Sequence, residues 1–109
     1  MANRKVFEIK VDEDIRIVVV FYREKNRITN FVVVLEAKRS VSDVETDDWE
    51  QVIRFDTSYG YPHMHKLDKN GNKKSTINFD YLSNEEALNA AIDILKENRD
   101  LFVKEFRND

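Results

Sequence analysis

Apolar and polar residues alternate along the first two-thirds of the chain, and the period changes near its end. Phe7, Ile9 and Val11 alternate with Glu8, Lys10 and Asp12, the pattern of a half-buried strand. From Asp14 to Arg23, Ile15, Ile17, Val19 and Phe21 occupy one face, with Val18, Val20 and Tyr22 on the other. Glu24 to Arg27 is a polar interruption of hairpin length, and Asn26 tolerates a left-handed turn conformation. Ile28 to Lys38 returns, carrying Phe31, Val33, Leu35 and Ala37 against Val32 and Val34. Both strands are apolar on both faces in their middles, so the second face needs cover from another layer, a second subunit or a ligand.

Arg39 to Asp48 is polar and acidic and reads as a loop at the sheet edge. Trp49 to Asp56 resumes alternation, with Trp49, Gln51, Ile53 and Phe55 on one face and Glu50, Val52, Arg54 and Asp56 on the other. Thr57 to Pro62 is a turn holding the chain's one Pro and one of its two Gly. His63 to Leu67 and Asn72 to Ile77 then flank Asp68-Lys69-Asn70-Gly71, and the Asn-Gly pair is a strong hairpin signal because both residues tolerate positive φ. From Ser83 the period becomes helical. Ser83 with Glu86 forms a capping-box pattern, and Leu88, Ala91, Ile92, Leu95, Phe102 and Phe106 recur along one stripe. The pattern predicts a single α+β domain over residues 1–109: an antiparallel meander of five to six strands, covered on one face by a long C-terminal helix.

Composition narrows the function more than the fold. With no Cys there is no disulfide framework, thiol nucleophile or thiolate metal site. No apolar run approaches the roughly 20 residues of a membrane span, and no apolar signal segment follows the N-terminus. A cytoplasmic protein without membrane attachment is expected. The net charge of −3 argues against a general polyanion binder. Charge is nonetheless segregated, with Asp43, Glu45, Asp47, Asp48 and Glu50 in one stretch and His63, His65, Lys66, Lys69, Lys73 and Lys74 in another. A homodimer is expected, because a single helix leaves Val18, Val20, Tyr22, Val32 and Val34 without cover.

Gly-rich phosphate loops, His-Glu-x-x-His and Gly-x-Ser-x-Gly are all missing, so no cofactor is expected. Ionic chemistry concentrates between Arg54 and His65. Arg54 and Asp56 lie two apart on one strand, and His63 and His65 two apart on the next, so a tight turn brings all four to one face. Three functions compete for that constellation. In the first, Asp56, His63 and His65 ligate a metal. In the second, the group cleaves RNA without a metal: the histidines act as acid and base, Arg54 with Lys66 stabilises phosphoryl charge, and Asp56 orients a partner. Tyr59 and Tyr61 would then stack an unpaired base. In the third, the face docks a protein through Tyr59, Tyr61 and Trp49. The ordinary structural alternative is a partly exposed Arg54–Asp56 pair beside two polar hairpin histidines.

The run Arg54-Phe55-Asp56-Thr57-Ser58-Tyr59-Gly60-Tyr61-Pro62-His63-Met64-His65, followed by a polar hairpin and a helix, resembles the TumE-like family. These small proteins are the toxin components of type II toxin–antitoxin pairs. The likeness extends from about Trp49 to Phe106, with Thr57 where the family carries Asn. It implies that Arg54, Asp56, His63 and His65 are the functional positions, and it adds an expected partner, a small DNA-binding antitoxin.

Overall fold

The computed structural model describes residues 3–41 and 44–108. Six strands follow one another, β1 (Asn3–Asp12), β2 (Ile15–Glu24), β3 (Arg27–Val41), β4 (Val44–Asp56), β5 (His63–Leu67) and β6 (Lys73–Asn78), before α1 (Asn84–Arg107). They form one antiparallel sheet in the order β1-β2-β3-β4-β5-β6, an α+β meander with β1 and β6 at its edges. The β2–β3 turn needs positive φ at both central residues, and Lys25 (50°) joins Asn26 (66°) in supplying it.

The helix begins where the sequence pattern places it. Ser83 Oγ accepts from Glu86 N and Glu86 Oε1 accepts from Ser83 N, a complete capping box. Ala87, Leu88, Ala91, Leu95, Phe102, Val103 and Phe106 are buried on its inner face. They pack on Ile15, Ile17 and Val19 of β2, Phe31, Val33, Leu35 and Ala37 of β3, Ile53 and Phe55 of β4 and Met64 of β5. Each fully buried Leu, Ile or Phe in this layer contributes about 1.5–3 kcal/mol from lost apolar exposure. The core therefore lies between the helix and one face of the sheet. On the opposite face Val34 is buried while Val18, Val20, Tyr22 and Val32 are half-buried.

Two expectations are corrected. Arg39 to Asp48 is not an edge loop, since β3 runs on to Val41 and β4 starts at Val44; Ser42 and Asp43 lie outside the described residues. Ser40 pairs with Glu45 and Val41 with Val44, so the backbone ladder carries a polar sequence into an extended arm. The alternation assigned to Trp49–Asp56 is also broken. Leu35 pairs with Ile53 but Glu36 pairs with Gln51, so Val52 is an extra residue, a β-bulge. Beyond it the faces exchange. Trp49 sits opposite Lys38, and the Arg16 guanidinium lies 4.1 Å from its ring centroid.

Candidate metal centre

The β4–β5 register assembles the site. Arg54 pairs with His65 and Asp56 with His63, while Phe55 pairs with Met64 between them. Alternation sends Phe55 and Met64 into the helix-covered core and the other four side chains to the opposite face. The connecting turn folds over that face. Asp56 Oδ1 accepts from Ser58 N (3.1 Å) and Ser58 Oγ (2.9 Å), which starts the turn. Gly60, at φ 86°, closes it with its N–H on Thr57 O. Tyr59 is thereby laid on His63, with ring centroids 4.1 Å apart and nearly parallel planes, and stands edge-on to His65 at 5.8 Å. Tyr61 meets His63 edge-on at 6.0 Å.

The cluster is buried: His63 is 0% exposed, His65 1% and Asp56 4%. Arg54 Nε donates to Asp56 Oδ2 at 2.7 Å. Burial raises the Asp56 carboxyl, but Arg54, the Ser58 N–H and hydroxyl and the His63 ring hold it below the usual carboxylate range on balance. Burial, then the charge of Lys73, pushes the His65 imidazole below its ordinary value.

The histidine nitrogens divide into two sets. His63 Nδ1 lies 3.1 Å from Tyr61 O, and a carbonyl only accepts, so Nδ1 carries the proton. His65 Nδ1 is 2.8 Å from Thr76 Oγ1. Both Nε2 atoms are buried without a hydrogen-bond partner. His63 Nε2 stands 2.7 Å from Asp56 Oδ1, out of line for a hydrogen bond. In a neutral ring this sets a nitrogen lone pair against a carboxylate. One ligand atom each from Asp56, His63 and His65 falls within 4.8 Å of the others. Two imidazoles and a carboxylate, with the far imidazole nitrogens anchored on a carbonyl and a hydroxyl, form a donor set suited to a divalent transition-metal ion.

Of the residues expected to act together, Arg54, Asp56, His63 and His65 meet on one face, with Tyr59 and Tyr61 against them. Lys66 does not. Its Nζ is 3.3 Å from Glu105 and 5.5 Å from the Phe102 ring centroid, on the helix side, because a strand neighbour of His65 must face the other way. Sequence reasoning passed over Ser58 and Thr76, and named Lys73 only within the basic stretch; its Nζ donates to the Tyr59 hydroxyl at 3.2 Å. Ser58 was detectable two residues after an Asp, the spacing of an Asx turn. Thr76 was not, since a register shift between Lys66 and Leu67 defeats counting outward from Asn70-Gly71.

No curated protein and no solved structure matches this chain. A family model does, over residues 1–109, and the chain belongs to that family, the domain of unknown function DUF7718.

Proposed function

We propose that this domain binds a divalent first-row transition-metal ion through Asp56 Oδ1, His63 Nε2 and His65 Nε2, in place of the cofactor-free expectation. The observation that carries the reading is the pair of buried, unpartnered imidazole nitrogens converging with a carboxylate. A buried polar atom with no partner costs about 1–3 kcal/mol, and a cation held by both imidazole nitrogens removes that cost. Such an ion would supply Lewis-acid chemistry beside Arg54. Arg54 holds the Asp56 carboxylate through Oδ2, and Ser58 N and Oγ hold it through Oδ1, the oxygen 2.7 Å from His63 Nε2. Tyr61 O and Thr76 fix both ring orientations. Tyr59 covers His63 and limits solvent access. Elemental analysis of untagged protein and titration of chelator-treated protein with cobalt(II) test the reading. The expected result is close to one equivalent and a tetrahedral visible spectrum that His63→Ala and His65→Ala each abolish. Protein that takes up no ion, or takes it up equally in both variants, overturns it.

A second reading keeps the expected toxin-like role, with RNA as substrate, the four clustered side chains as its centre and an antitoxin as partner. The observation favouring it is Arg54, whose side chain stays 38% exposed beside the two histidines and is placed to meet a phosphoryl group. Induced expression in a bacterial host tests it: growth arrest and RNA loss with the wild type but not with His63→Ala/His65→Ala. Equal growth with intact RNA overturns it.

A further inference from the structure

We infer that two copies of this chain pair along β1, in antiparallel register centred on Val6, to make one continuous sheet. β1 is an edge strand of 10 residues with β2 as its one neighbour. Its middle leaves Val6 55% and Phe7 42% exposed. The opposite edge, β6, is shorter and opens on Lys73 and Lys74, a charged guard against strand addition.

Symmetry and charge leave two registers, centred on Val6 or on Ile9, the second setting Glu8 opposite Lys10 of the partner subunit. Val6 is exposed and Ile9 half-buried, which selects the first. A two-fold axis normal to the sheet keeps each face continuous, so opposed residues must share a face. Centring on Lys5 sets two ammonium groups together, and centring on Glu8 sets two carboxylates together. Centring on Phe7 places Arg4 against Lys10 of the partner subunit. Centring on Val6 instead sets Arg4 opposite Glu8 of the partner subunit, and the reverse, on the same face as Val6. Glu8, 3.3 Å from Arg16 within the chain, keeps half its side chain exposed for that contact. Val6 pairs with Val20 across β2, so the symmetric valine contact extends the half-buried strip of Val18, Val20 and Val32. This edge pairing lengthens the strip without covering it, and so differs from the face-sharing homodimer expected from the sequence.

The chain has no Cys, so single thiols report directly on the register. Directly opposed residues have Cα atoms about 4.5–5.5 Å apart, within the disulfide range of about 4.4–6.8 Å. Sedimentation of the full chain at micromolar concentration should show a dimer, and mild oxidation should link Val6→Cys but not Lys10→Cys. Arg4→Glu and Glu8→Arg should each weaken the dimer about tenfold, and the two combined should restore it. All four substitutions lie on exposed positions, and circular dichroism checks that the fold is kept. A monomeric wild type, equal linking of both Cys variants, or no restoration by the double exchange overturns the inference. None of these readouts depends on a metal.

Discussion

Asp56 Oδ1 and His63 Nε2 lie 2.7 Å apart, while the same imidazole turns its Nδ1 to the carbonyl of Tyr61. The carbonyl fixes the tautomer, and the tautomer makes the short contact unfavourable for a neutral ring. A cation between the two atoms relieves it. Metal addition should therefore be visible in stability as well as in binding. At a free ion concentration roughly a hundred times Kd, unfolding should become about 2.7 kcal/mol harder. His65→Ala should lose that gain, chelator should reverse it, and Lys66→Ala, altered on the other face, should keep it. Denaturant melts with and without zinc check all three.

Tyr59 covers the histidines from an exposed position, with half of its own surface in solvent. Tyr59→Ala should leave the fold intact and raise the rate of imidazole acylation at His63 and His65 by an order of magnitude or more. Peptide mapping after diethylpyrocarbonate treatment reads the rate. Unchanged protection would mean that the sheet, not the turn, shields the rings.

The capping box gives the helix an acid-sensitive end. Hydrogen bonding with the Ser83 side chain and then its backbone lowers the Glu86 pKa from 4.5. A depressed folded-state value stabilises above the unfolded one and is lost as pH falls through the folded one. Helix stability should thus decline on acidification below pH 4.5, and Glu86→Gln should flatten that part of the profile. Ser83→Ala, which removes the cap oxygen, should cost about 1 kcal/mol at neutral pH. Thermal melts across the acid range report both.

Leu95 is fully buried at the centre of the helix–sheet layer. Leu95→Ala should cost about 2–5 kcal/mol, depending on how far the surrounding side chains collapse. Urea unfolding with an unchanged m-value checks it. Leu101, more than half exposed on the outer side of the same helix, should tolerate the same change within about 0.5 kcal/mol.

The meander, the helix and its cap were legible because each rests on local signals. Period-2 alternation marked β2 and β3, Asn70-Gly71 marked a hairpin, and Ser83 with Glu86 marked the helix start. The convergence of Arg54, Asp56, His63 and His65 followed from the same parity argument. That argument also excludes Lys66, had it been applied one residue further. The distal arm was not legible, since long-range pairing holds its polar residues in strands that local propensity disfavours. The burial of the histidines was hidden for a related reason. Tyr59 folds back over His63 from a turn, and alternation says nothing about turns.

The extra residue at Val52 has one more consequence. It separates the half of β4 that carries Arg54 and Asp56 from the half that forms the outer arm, much as an expansion joint isolates two spans of a bridge. Residues gained or lost in the arm are absorbed on the far side of that joint. A change in the arm's length would therefore leave the register of Arg54 and Asp56 with β3 and β5 as it is.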